Sequence, residues 1–264
     1  MQIFNWRGLI SAFQTITAIP VPGQGAENAE DSLSWFPWVG AVLGIAAWAV
    51  AYLAMQAPIE AQLRVFWILI AAAIIVTVWA VLTRGFHLDG LADMCDGFGG
   101  GWTKERVLEI MRDSRIGSFG VIALSLGLLL KTLAVAMVLG SGSWQALLIV
   151  PILARSAMVC QASFNKYARR DTVKVSMANH FIDKACASHF GGACLHTLLL
   201  LGLLYLAVPF SWVAAAEIIL AVYLSMLTVG YISRSKIGGI TGDILGATCE
   251  IAEDVGLIAA ALCV

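Results

Sequence analysis

The run Arg64-Val-Phe-Trp-Ile-Leu-Ile-Ala-Ala-Ala-Ile-Ile-Val-Thr-Val-Trp-Ala-Val-Leu-Thr83 passes directly into Arg84-Gly-Phe-His-Leu-Asp-Gly-Leu-Ala-Asp-Met-Cys-Asp-Gly-Phe-Gly-Gly-Gly101. No charge interrupts Val65 to Thr83. A helix of that length crosses most of a hydrocarbon core about 30 Å thick. The second half sets Asp89, Asp93 and Asp96 at the edge of that core. If it is helical, offsets of four and seven residues bring the three carboxylates within roughly 60° of one another.

Like charges so placed repel, more strongly where water is scarce, and need something to offset them. A divalent cation is the simplest answer. Oxygen ligands without a cysteine or histidine set favour Mg2+, with Mn2+ as an alternative, and Mg2+ usually takes one or two carboxylates while substrate phosphates complete its shell. The competing reading is a solvated acidic helix beside the membrane, followed by an ordinary glycine loop.

The whole chain agrees with the apolar half of the quoted stretch. Its 264 residues are 60% hydrophobic and 12% charged, with a mean hydropathy of +0.86, far from the roughly 25% charge of soluble domains. An all-α polytopic integral membrane protein is expected, one transmembrane catalytic domain over residues 1–264. A net charge of -1 gives no reason to expect nucleic acid as a partner. The first seven residues lack the pattern of a secretory signal. The six cysteines contain no C-x-x-C pair, so neither a zinc knuckle nor a dithiol site is indicated.

In chain order, Phe4 to Ile16 predicts a helix lying at the interface, and Gln24 to Ser34 a solvent-facing polar loop. Seven spans are expected: Pro37 to Gln56, Arg64 to Thr83, Gly120 to Gly140, Trp144 to Phe164, Gly191 to Val208, Ser211 to Ser233, and Ile244 to the carboxyl end. Residues 84–120 form a long connection carrying the acidic stretch and an amphipathic helix over Lys104 to Asp113. Asn165 to Phe190 forms a second polar loop, and Arg234 to Asp243 a third. Lys131 and Arg155 fall in mid-span, where charge marks either a functional site or a structural pair. Of the 16 Lys and Arg residues, 13 fall in the amino-terminal segment and the loops on its side, against Arg64 alone on the other. Positive-inside asymmetry then puts the three polar loops in the cytoplasm, with the protein in the inner membrane.

A second acidic group, Asp243, Glu250 and Asp254, lies within about 40° on one face if its helix is continuous. Two acidic faces meeting at one mouth would hold one or two Mg2+ ions against a diphosphate and allow in-line displacement by a hydroxyl. Asp89, Asp93, Asp96 and Asp243 are the candidate catalytic residues, as metal ligands or general base, with Glu250 a further candidate ligand. Gly238, Gly239 and Gly242 would let backbone amides approach phosphate, and Arg112, Arg115 and Arg169 would supply planar donors. No G-x-x-x-x-G-K-[ST] pattern is present, so the diphosphate arrives on an activated substrate.

Phe86-His-Leu-Asp-Gly-Leu-Ala-Asp-Met-Cys-Asp-Gly97 resembles the acidic motif of the cobalamin synthase family, the membrane-bound adenosylcobinamide-GDP ribazoletransferases. Ile19-Pro-Val-Pro22, Trp35-Phe-Pro-Trp-Val-Gly40, Arg112-Asp-Ser-Arg-Ile-Gly-Ser-Phe-Gly120, Tyr167-Ala-Arg169 and Gly238-Gly-Ile-Thr-Gly-Asp-Ile-Leu-Gly-Ala247 resemble family stretches in the same order. The resemblance implies adenosylcobinamide-GDP as donor, alpha-ribazole or its 5'-phosphate as acceptor, and GMP as leaving group. Two other functions stay open. Asp89-Gly-Leu-Ala92 matches the start of the D-G-x-x-A-R motif of CDP-alcohol phosphotransferases, but Asp93 stands where that motif needs arginine. A transporter using the acids as an ion path would need more ionisable residues in mid-span.

Overall fold

The computed structural model describes residues 5–169 and 177–263, and they are helical almost throughout. Asn5 caps the first helix, α1 (Trp6–Ile16), by accepting from the Arg7 amide. One face of α1 is buried through Ile10, Ala12, Phe13 and Ile16 while Trp6 is exposed, as an interfacial helix requires. Residues expected in a solvent-facing loop instead form a 3-10 helix, Ala29–Trp35, that buries Ser32, Leu33 and Ser34. Ser34 holds it there, its hydroxyl donating to the His189 carbonyl while its own carbonyl bonds His196.

The remaining α-helices are α2 (Phe36–Met55), α3 (Arg64–Leu82), α4 (Phe86–Gly100), α5 (Lys104–Ile110), α6 (Ser118–Ser141), α7 (Ala146–Phe164), α8 (Met177–Lys184), α9 (Ala187–Ala207), α10 (Trp212–Ile237) and α11 (Gly242–Leu262). Among the described residues, six helical segments are long and apolar enough to cross a membrane: α3, α6, α7, α9, α10, and α2 together with the preceding 3-10 helix. The seventh expected span, α11, is also 21 residues long. It differs in carrying Asp243, Glu250, Glu253 and Asp254, and it lies inside the bundle against α4, α6, α7 and α10. The outer helices show the opposite pattern. Val65, Phe66, Leu126, Leu198, Leu206 and Leu220 are exposed, which fits a surface solvated by lipid tails.

Small residues let the central helices approach closely. Gly40 of α2 lies against the Pro151 carbonyl of α7, and Gly44 would put a Cβ 2.9 Å from the Leu147 oxygen, so no larger side chain fits the crossing. Trp79 of α3 donates its indole N–H to the Leu43 carbonyl of α2 at 3.0 Å. The alternating spans bring the ends of α3, α7 and α10 and the starts of α6, α9 and α11 to one end of the bundle. The connection over residues 84–120, expected to carry the acidic stretch and a helix over Lys104 to Asp113, is at that end and mostly helical, as α4 and α5. The expected basic positions Arg170 and Lys174 lie outside the described residues.

Candidate functional site

The site is built on the crossing of α4 and α11. Gly90 of α4 faces the backbone of Asp243, and a Cβ there would lie 2.6 Å from the Asp243 carbonyl oxygen. One turn farther along α4, Asp93 therefore stands near the first turn of α11. Its surroundings are charged alike: burial pushes its carboxyl up to about 7, and Asp243, Asp89 and Asp96 push the same way against the opposing pull of Arg169.

The four candidate aspartates have different partners. Asp243 accepts from the Arg169 guanidinium at 3.0 Å and from the Thr241 hydroxyl at 3.1 Å, while Thr241 caps α11. Asp96 is buried and occupied by backbone: Gly117 donates to one oxygen at 2.7 Å and Gly120 to the other at 2.8 Å. Those amides belong to the start of α6, so Asp96 satisfies two of its orphan donors and favours its positive end. Asp89 and Asp93 have neither a hydrogen-bond nor an ion-pair partner among the described residues. Both line a cavity of about 520 Å³ together with Gln14, Thr15, Thr17, Arg84 and Ser114.

Glu250 is not brought to this group. It pairs with Lys131, which also donates to Glu253 at 2.7 Å and lies 3.5 Å from Asp254. Glu253 in turn pairs with Arg155. The two mid-span cations thus close a buried ionic network with α11, in which attraction and mutual hydrogen bonds offset desolvation. The Arg155 guanidinium also lies 3.5 Å from Nδ1 of His87, at the start of α4. Burial, reinforced by Arg155, lowers the His87 pKa to about 3, so this ring is neutral and no proton carrier near neutral pH.

The arginines divide similarly. Arg169, Arg112 and Lys104 line a second cavity of about 330 Å³ at the α5 face. Arg115 is exposed and bidentate to Asp113 at 2.6 and 3.0 Å, beside a third cavity of about 570 Å³ that Asp96 and Arg106 also line. The glycines serve the turn more than an open amide cradle. Gly238 has a φ of +73° and ends α10, its N–H donating to the Arg234 carbonyl. Gly239 lies against the Lys166 carbonyl, where a parallel bridge joins Tyr167 to Ile240, and Gly242 begins α11.

Among the described residues, no three His, Cys, Asp or Glu side chains gather closely enough to enclose a metal by themselves. Mg2+ makes a smaller demand, one or two carboxylates with phosphate and water completing the shell. Asp89 and Asp93, unpartnered and crowded by like charge, fit that demand. Sequence spacing identified them correctly as neighbours but missed the partners that occupy Asp96 and Glu250. The Asp96 partners are glycine amides, and only the R-I-G-S-F-G stretch hinted at them.

Residues 8–261 match the family model described as Cobalamin-5-phosphate synthase. An adenosylcobinamide-GDP ribazoletransferase of Chlorobium chlorochromatii (strain CaD3) is 40% identical over 257 residues, 97% of this chain and 96% of the relative. Its namesake in Chlorobium phaeobacteroides (strain BS1) is 40% identical over 249 residues, 94% of each chain. The one in Syntrophobacter fumaroxidans (strain DSM 10017 / MPOB) is 36% identical over 262 residues, 97% of each. No solved structure matches the chain.

Proposed function

This chain belongs to the cobalamin-5-phosphate synthase family, and we propose that it transfers the cobinamide phosphate of adenosylcobinamide-GDP to a hydroxyl of alpha-ribazole or its 5'-phosphate, releasing GMP. The reaction is a displacement at phosphorus. The acceptor oxygen bonds to the phosphorus nearer the cobinamide, the bridging P–O bond of the diphosphate breaks, GMP carries away the bridging oxygen, and the hydroxyl proton passes to a carboxylate.

The observation that carries this reading is the pair of unpartnered carboxylates, Asp89 and Asp93, in one cavity with hydroxyl groups, together with a second cavity where Lys104, Arg112 and Arg169 stand beside Glu105 and Glu109. Lys104, Arg112 and Arg169 bind the diphosphate oxygens. Arg169 is also held by Asp243, which orients its planar donors. One of Asp89 and Asp93 would hold Mg2+, or Mn2+ in its place, and the other takes the acceptor proton. The ion, when bound, neutralises the diphosphate and the charge of the departing GMP. Asp96 positions the start of α6 and thereby the wall of the third cavity. The site faces the cytoplasm from the inner membrane, and the outer faces of the bundle meet the lipid bilayer.

A nucleotide-release assay on the purified, detergent-solubilised chain tests the proposal. With Mg2+ and alpha-ribazole or its 5'-phosphate, adenosylcobinamide-GDP is expected to yield GMP, and a CDP-lipid with an alcohol acceptor no CMP. CMP release without GMP release would replace this reading by a lipid phosphotransferase.

A further inference from the structure

Most cations at the acidic end of the bundle are engaged. Arg106 pairs with Glu109, Arg115 with Asp113, Arg169 with Asp243, and Lys236 donates to the Phe98 carbonyl. Arg84 is different. It lines the same cavity as Asp89 and Asp93, yet among the described residues no carboxylate lies within ion-pair distance of its guanidinium. A fully charged group is therefore left available on the wall where the two acids would otherwise repel any anion.

The backbone there is also unusual. Arg84 has a φ of +54°, the only non-glycine residue among those described with positive φ, and is followed by Gly85 at +65°. That region costs an ordinary side chain of order 1 kcal/mol or more. The turn is held by the Gly85 amide donating to the Ala80 carbonyl and the Phe86 amide donating to that of Thr83. The remaining polar wall is uncharged, formed by Gln14, Thr15, Thr17 and Ser114. The cavity thus offers one guanidinium, several neutral polar groups and the two free carboxylates. Lys104, Arg112 and Arg169 line the α5 cavity beside Glu105 and Glu109, with Arg169 paired to Asp243.

An in-line displacement needs the attacking hydroxyl and the departing phosphate on opposite faces of the phosphorus. With the diphosphate on the three cations, the acceptor enters from the Arg84 side, its hydroxyl toward Asp89 and Asp93. We propose that Arg84 binds the 5'-phosphate of the acceptor, one guanidinium for one phosphomonoester, and so sets the preference for the phosphorylated over the free nucleoside. This rests on the transferase reading above and names the acceptor-selecting residue of that same site.

The test compares kcat/KM for alpha-ribazole 5'-phosphate and for alpha-ribazole in the full-length chain and in Arg84→Gly and Arg84→Lys. Glycine suits the positive φ, so the first variant removes the side chain while relieving the turn. If it does not fold, Arg84→Asn takes its place, because asparagine tolerates the same region. The ratio of kcat/KM for the phosphorylated over the free acceptor is expected to fall at least tenfold in Arg84→Gly, about 1.4 kcal/mol. Arg84→Lys, which keeps the charge but not the fork, is expected to fall between that variant and the unmodified chain. KM for adenosylcobinamide-GDP is expected to change less than the acceptor ratio does. An unmodified chain without preference, an equal loss on both acceptors, or an effect confined to the donor would overturn the assignment. An unmodified chain releasing no GMP with either acceptor would instead defeat the transferase reading itself.

Discussion

At the scale of single residues, the four candidate aspartates separate by what already holds them. Asp96 and Asp243 are neutralised by backbone amides and by Arg169; Asp89 and Asp93 are not, and this separation has a measurable signature. The Asp93 carboxyl moves from an ordinary 3.8 to about 7 in the folded chain, so its charged form is disfavoured there. Below pH 4 it is protonated in folded and unfolded states alike and costs nothing. Between about 4 and 7 the unfolded chain releases its proton while the folded chain keeps it, so stability falls as pH rises. Asp93→Asn removes that dependence. In chelator, its gain in thermal midpoint over the unmodified chain is expected to be larger at pH 8 than at pH 5, and a gain independent of pH would contradict the crowding. Added Mg2+ is expected to narrow the gap at pH 8 by stabilising the unmodified chain.

At the scale of elements, the site depends on two helices crossing nearly backbone to backbone. A Cβ on Gly90 would stand 2.6 Å from the Asp243 oxygen, whereas nothing lies within 4 Å of one on Gly140. Gly90→Ala must move α4 or α11, at a cost of about 1–3 kcal/mol. It is expected to lower both thermal midpoint and turnover without touching a charge, while Gly140→Ala leaves both at or above the original values. Equal midpoints for the two variants would contradict the crossing. The helices themselves were legible because an uninterrupted apolar run has few alternatives in lipid, where each backbone group must be paired within its own segment. Their neighbours were not. Nothing local to Lys131 or Arg155 shows that both charges are answered by α11, more than 90 residues away, because ion pairing depends on the packing order of the bundle. The same reason hid the bonds from Gly117 and Gly120 to Asp96, whereas Glu250 is apart from Asp243 because seven residues of helix set them about 10 Å apart along the axis of α11.

At the scale of the whole molecule, six apolar spans accompany a charged helix, α11, that packs against α4, α6, α7 and α10, and both acidic elements meet at one end. The proposal that this end faces the cytoplasm rests on basic-residue asymmetry. Single cysteines at Thr103 and Ser143, in a background without the native ones, report the orientation through an impermeant thiol reagent on intact cells. Ser143→Cys is expected to label and Thr103→Cys to be protected; the reverse would invert the protein. The central claim is that convergence at this end, and not negative charge alone, makes the catalytic site. Asp31 is the appropriate comparison, a carboxylate at the same end of the bundle but in the 3-10 helix beside α1. GMP release by Asp93→Asn and Asp31→Asn, measured together at equal protein level and saturating Mg2+, tests the claim most directly. Asp93→Asn is expected to lose at least about a hundredfold in turnover, the low end of what a positioned acid or base contributes, with Asp31→Asn close to the unmodified chain. Near-equal turnover of the two variants would contradict it.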